Sequence, residues 1–293
     1  MFRYYKFFLA TSGVVVAFSI ASVIFFGLNF GIDFTGGSVL EVEYANSRPS
    51  VQEVRDQLAN LDLGSLTVQP VGEKGMILRM KEISPDTHER VIEKLGSDAK
   101  EKQFEVIGPT IGAELRNKTI VITLLGILAI LVYIALAFRQ AIKPVYAWHY
   151  SLASVLASIH DIAVPLGVLA VLGHFYGVQF TIPIVVALLT ILGYSINDTV
   201  VVFDRVRENL LRKTGVDLVD TVDKSFWQTL GRSLGTSFTT LLVVLAIFFF
   251  GGDTLRYFAL TLAVGIIAGT LSSIFLASPA LLVFAKWKGK DLT

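Results

Sequence analysis

Six apolar stretches leave this chain few folds to choose from. They lie near residues 7–28, 119–138, 150–172, 181–203, 225–250 and 258–284. A hydrocarbon core of about 30 Å takes roughly 20 helical residues to cross. In lipid the backbone must pair its polar groups within the segment, which favours helices. The chain therefore reads as an α-helical polytopic membrane protein with six transmembrane helices. Its 53% hydrophobic content and mean hydropathy of +0.65 agree with that class. The first stretch exceeds the h-region of about 7–15 residues found in a secretory signal. It is expected to be a retained anchor.

Lysine and arginine set the expected orientation. Arg3 and Lys6 precede the first span, and Arg139 and Lys143 follow the second. Arg205, Arg207, Arg212, Lys213 and Lys224 lie between the fourth and fifth spans, and Lys286, Lys288 and Lys290 follow the sixth. The opposite short loops carry only Arg256. Both termini are thus expected on the cytoplasmic side. Residues 1–29 form the N-terminus and first helix, and 30–118 one external (periplasmic) domain. Residues 119–284 form helices two to six with a cytoplasmic loop near 204–224, and 285–293 a cytoplasmic tail.

The segment from 38 to 111 changes character. Residues 39–44 alternate as a strand, and Val51, Val54, Leu58 and Leu61 have helical spacing. Residues 66–71 and 76–80 read as strands about a glycine-bounded turn. Ser84 and Pro85 open a helix to Leu95 as N-cap and N1, and 104–107 is a last strand. The order β-α-β-β-α-β is that of an α+β ferredoxin-like domain, a fold that says little about function by itself. His88, beside Glu89 on a charged helix, is expected to be a solvated surface residue.

Several function classes fall away. The net charge of +1 gives no nucleic-acid footprint, and the absence of cysteine excludes disulfides, iron–sulfur clusters and thiol nucleophiles. No HExxH spacing, nucleotide loop or nucleophile–base pair occurs. No metal, other cofactor or enzymatic activity is expected.

Asp198 is the informative polar residue. It sits with Asn197 inside the fourth span, where a carboxylate costs roughly 3 kcal/mol or more. Arg232 lies at a similar depth in the next, antiparallel span, so the two can meet. Protonation of Asp198 would then release Arg232 to other partners, a two-state element. A static salt bridge that fixes helix packing explains the same residues, and both readings stay open. Asp161 lies near mid-membrane in the third span and must face protein or water. It is a further relay candidate or a hydrogen-bond acceptor. Its neighbour His160 is placed about 100° away around the helix, on a different face. Tyr194, one turn before Asp198, is expected to serve packing. Gly265 and Gly269 form a GxxxG pair, and Ala153/Ala157 and Ser154/Ser158 are small-xxx-small pairs that permit close helix approach.

The run Gly31-Ile-Asp-Phe-Thr-Gly-Gly37 follows the first span. Gly31, Asp33, Gly36 and Gly37 are read as a rigid structural hinge, with Asp33 capping the turn or bonding a neighbouring loop. These seven residues closely resemble the signature of the SecD/SecF protein-export family, which is related to the resistance–nodulation–division superfamily. Ile107-Gly-Pro-Thr-Ile-Gly-Ala-Glu-Leu115 resembles the family's segment before the second span. The run from Gly193 through Asn197-Asp198-Thr199 to Asn209 resembles its fourth-span motif. Six spans with one modest external domain are similar to the smaller of the two family types; SecD carries the larger external region. The resemblance implies a subunit that couples proton flow to late steps of protein translocation across the bacterial inner membrane. Implied partners are SecD, the SecYEG channel, YajC, YidC and the translocating polypeptide. It tilts Asp198, Arg232, Asn197 and Asp161 toward a proton relay. Two rivals remain: a half-transporter of the resistance–nodulation–division type, and a non-energised assembly factor.

Overall fold

The computed structural model describes residues 4–139 and 144–288. Arg3, Lys143 and Lys290, and the side chain of Lys288, lie outside the described residues. Six helices are long and apolar enough to cross a membrane, and the described chain divides into two units.

One unit holds most of residues 1–28 and 122–293. Its helices are α1 (Tyr5–Phe26), the later part of α5 (Pro109–Ala137), α6 (Ala147–Tyr176), α7 (Ile182–Leu211), α8 (Leu218–Phe250), α9 (Asp253–Ser272) and α10 (Ser278–Lys288). A π turn, Ser273–Ala277, joins α9 to α10 within the sixth span. Several helices overrun their apolar stretches. Charged and polar turns carry α7 on through Arg205, Arg207 and Glu208, held by Arg205–Glu208 (2.7 Å) and Arg212–Glu208 (2.7 Å) pairs. Asp217 caps the start of α8, its carboxylate accepting from Asp220 N at 2.7 Å. Hydropathy alone ends a span where lipid contact ends, whereas a helix continues as long as its backbone bonds do.

α9 lies against α6, α7 and α8, and α1 lies against α6. Small residues set these approaches. A Cβ on Gly167 would come within 2.7 Å of Ser19 Cα on α1, and one on Gly269 within 3.0 Å of Ser195 Cβ on α7. A Cβ on Gly265 would collide with Ile191. Without a hydrophobic drive between helices in lipid, such backbone approach supplies the packing. Phe138 stacks on Tyr150 at a ring-centre separation of 4.6 Å, Phe203 packs edge-on to both at 5.3–6.0 Å, and the three close the core where α5 ends.

The second unit covers residues 29–121 and 179–181. It contains α2 (Ile32–Thr35), β1 (Gly37–Tyr44), α3 (Val51–Leu58), β2 (Thr67–Val71), β3 (Gly75–Met80), α4 (Pro85–Leu95), β4 (Ala99–Ile107) and the first turns of α5. The four strands form one antiparallel sheet in the order β2-β3-β1-β4. Leu40, Val42, Met76 and Leu78 point from the central strands onto Val54, Leu58 and Val91 of the helices. Ser50 and Glu53 form a capping box on α3. Ser84 caps α4, accepting from Thr87 N at 3.3 Å, with Pro85 at N1 as expected.

β4 begins five residues before its expected start. Lys100, Glu101, Lys102 and Gln103 give no alternation, because successive side chains on both faces of this stretch are exposed. Lys102 Nζ sits 2.8 Å from Glu43 Oε2 on β1 and holds that carboxyl below its usual range. His88 is not a freely solvated residue. Its ring stacks on Phe104 at 3.9 Å, and its Nε2 lies 3.0 Å from Glu101 Oε2.

Gly265→Val overpacks the α7–α9 approach and is expected to cost about 1–3 kcal/mol, read as a lower thermal midpoint in detergent. Gly13→Ala, which meets nothing within 4 Å, is expected to leave the midpoint unchanged or higher.

Candidate functional site

The membrane-spanning unit buries two carboxylates on adjacent helices, Asp161 on α6 and Asp198 on α7. Asp161 is fully buried and held from two sides. Its Oδ1 lies 2.9 Å from His160 Nδ1, and its Oδ2 accepts the Ser195 hydroxyl. The helical rotation of about 100° between neighbours therefore does not separate His160 from Asp161, because the imidazole folds back along the helix to its neighbour. Pro165 lies in the next turn of α6. It has no N–H for the Asp161 carbonyl, which loosens the backbone at this point.

Asp198 is one turn beyond Ser195. Its Oδ2 is buried with no hydrogen-bond partner, and so is Ser233 Oγ on α8. Ser233 and Ser273 are its hydroxyl neighbours, and the charges of Arg232 and Asp161 act on it. Ser273 opens the π turn, and its hydroxyl lies 3.1 Å from Thr199 Oγ1. Single π turns inside α-helices recur at functional sites; this one interrupts the sixth span beside the carboxylate.

The expected direct pairing of Asp198 with Arg232 is not formed: among the described residues no ion pair within 4.0 Å joins them. Both do lie roughly four turns inside their helices. However, Ser233 is the residue that α8 turns toward the interior, and Arg232, one position earlier, is exposed on the other side. Asn197 is likewise exposed, while Asp198 is buried. The relay candidates thus separate into an interior pair, Asp161 and Asp198, and an outward pair, Asn197 and Arg232.

Tyr194 does more than pack. Its hydroxyl lies 3.2 Å from Ser237 Oγ, which is 2.7 Å from Thr270 Oγ1, a polar chain linking α7, α8 and α9. Asn209 is a further residue that the spacing did not single out. Its amide donates to Ser225 Oγ at 2.8 Å and Gln228 Oε1 at 2.9 Å, fastening α7 to α8. One signal for this network lay in the sequence. Thr221, Ser225, Thr229, Ser233 and Ser237 recur every fourth residue, and all five are buried. Among the described residues no cluster of three or more metal-ligating side chains occurs.

In the second unit the glycine-rich run is tightly bound. Gly31 N donates to Phe180 O at 2.9 Å, and Phe180 N to Asn29 O at 2.6 Å. Phe30, Phe34 and Phe180 cluster around this bridge. Asp33 lies in the first turn of α2. Gly36 has φ +73°, and a Cβ there would lie 2.8 Å from Pro109 Cα; on Gly37 (φ +132°) it would lie 2.7 Å from Met80 O. Positive φ and backbone contact on both sides leave room for glycine alone at these two positions.

Ser195→Ala removes a donor from buried Asp161 and is expected to cost about 1–3 kcal/mol. Ser158 bonds only its own helix, at Ser154 O, so Ser158→Ala is expected to stay within about 0.5 kcal/mol. Thermal midpoints of the purified variants compare the two.

The comparisons with known proteins follow the same residues. A model described as "Protein export membrane protein SecD/SecF, C-terminal" matches residues 87–287, and one for the SecD/SecF GG motif matches 21–47. The protein translocase subunit SecF of Thermobaculum terrenum is 37% identical over 98% of this chain and 93% of its own length. That of Pseudomonas aeruginosa is 37% identical over 91% and 84%. A crystal structure of SecDF, a translocon-associated membrane protein from Thermus thermophilus, superposes with a TM-score of 0.86 at 35% identity. The match covers 98% of this chain and 38% of that longer one. By sequence and by fold, the chain belongs to the SecD/SecF protein-export family.

Proposed function

We propose that this chain acts as a SecF-type subunit of a SecDF unit, coupling proton flow to late steps of protein translocation in the bacterial inner membrane. The observation that carries the reading is Asp198, a buried carboxylate at membrane depth whose Oδ2 has no hydrogen-bond partner. Buried polar atoms without partners are rare and call for a reason. A proton supplies one. An ionised carboxylate only accepts, whereas a protonated one donates. With a proton on Oδ2, Asp198 donates to a neighbouring serine hydroxyl; without it, the charge draws on Arg232. The two states favour different positions of α7 and α8, which makes a switch. Asp161, held by His160 and Ser195, is the second carboxylate of the relay.

SecD is the proposed partner on the face that carries Gly193 and Asn197 of α7 with Gly231, Arg232 and Gly235 of α8, all exposed. A guanidinium at this depth is costly against lipid, and glycines permit close approach of a second helix bundle. Arg232 and Asn197 then serve the relay from that interface. The SecYEG channel is the site of action, with YajC and YidC as further associates. Both termini are assigned to the cytoplasm from the lysine and arginine pattern. The four-stranded unit is assigned outside the membrane as a ferredoxin-like domain, which its β-α-β-β-α-β order and β2-β3-β1-β4 sheet support. In this reading the tightly bound glycine segment passes the motion of the first span to that domain, which acts on the emerging polypeptide.

The test is secretion of signal-bearing proteins in cells depleted of the native protein and supplied with wild type or Asp198→Asn. Membrane abundance and co-purification with SecD are followed in the same cells. The variant is expected to assemble normally while secretion stays at the depleted level. Full rescue by the neutral isostere would make Asp198 structural and favour an assembly factor. Normal secretion with lost efflux of small molecules would favour a half-transporter.

A further inference from the structure

Apart from the carboxylate cluster, the membrane-spanning unit contains a crevice of about 480 Å³ between α1, α6 and α9. Val15, Val164 and Ala268 contribute to its apolar wall, and Thr11, Ser12 and His160 are its polar members. The Thr11 hydroxyl is already spent on Phe7 O at 3.0 Å. His160 is the unusual one: its ring lines the crevice while its Nδ1 is engaged with Asp161. The crevice is therefore separated from the buried carboxylate by one imidazole.

Its mouth is apolar as well. Val15 is 40% exposed and Ile267 48%, both on helices that cross the membrane. Apolar side chains exposed on such helices favour hydrocarbon over water as their surroundings. A cavity of this volume falls within the range of about 300–1,000 Å³ typical of small-molecule sites, and an apolar one does not hold water well. We propose that the crevice is an acyl-chain site, in which one hydrocarbon tail of a bilayer phospholipid inserts between α1, α6 and α9 and covers His160. The tail is recognised by its shape and apolarity, and its headgroup stays outside the crevice. With the tail in place His160 faces hydrocarbon, so water reaches Asp161 only from within the helix bundle. The binding claim stands apart from the proton reading of Asp198.

The whole chain is reconstituted in vesicles of phosphatidylethanolamine and phosphatidylglycerol, doped with phosphatidylglycerol carrying a diazirine midway along one tail. After photolysis, mass spectrometry maps the adducts. Adducts are expected on the outward residues Phe18 and Ile24 and also at Val164 and Ala268 inside the crevice. Ala268→Phe fills the crevice, and adducts at Val164 are expected to fall several-fold while those at Phe18 and Ile24 persist. Val15→Trp, at the exposed rim, narrows the mouth with the same expected result and decides the matter if Ala268→Phe fails to accumulate. Absence of adducts at Val164 in the wild-type chain, or adducts there that neither variant reduces, would overturn the proposal.

Discussion

Burial of two carboxylates among membrane-crossing helices is the constraint on which the rest of the transmembrane architecture depends. A charge in hydrocarbon costs several kcal/mol, so the helices around Asp161 and Asp198 are chosen for what they offer it. α6 offers His160, α7 offers Ser195, α8 offers Ser233 and the π turn offers Ser273. Asp161 is satisfied on both oxygens. Asp198 has the Ser233 and Ser273 hydroxyls beside it, yet its Oδ2 makes no well-formed hydrogen bond. Two like residues one helix apart thus have opposite standing, one fastened and one open to a change of state.

The hydroxyls can reach the carboxylates only because the backbones come close. Gly269 lets α9 settle against α7 at Ser195, and Gly265 does the same one turn earlier at Ile191. Larger residues there would widen the spacing and draw Ser195 away from Asp161. The GxxxG pair and the polar cluster are thus one arrangement, in which small residues supply proximity and serines supply hydrogen bonds. The π turn adds a residue to the sixth span at the level where Ser273 meets Thr199.

Much of this could be read along the chain. The spans, the order of strands and helices in the small unit, and the caps at Ser50 and Ser84 rest on local patterns of hydropathy and turn chemistry, which survive folding. Asp198 and Asp161 stood out because a carboxylate in an apolar run has no inexpensive explanation. Other features did not rest on local pattern. Alternation alone starts β4 at residue 104 rather than 99, because residues 100–103 are exposed on both faces of the strand. His88 looked solvated from its neighbours, yet it stacks on Phe104 of another element. Depth alone pairs Arg232 with Asp198, and depth does not fix which way a side chain turns.

The sequence by itself determined how many helices can cross a membrane, where the glycine-rich run must bend, and which carboxylates lie at membrane depth. Each follows from the free energy of single segments in lipid or of single residues at positive φ. Only the tertiary structure decided what surrounds those carboxylates. Rotation about each helix axis is set by packing against the others, and it put Ser233 inward and Arg232 outward. It also put His160 between an apolar crevice and Asp161, a position that no single helix encodes, because three helices must meet to create it.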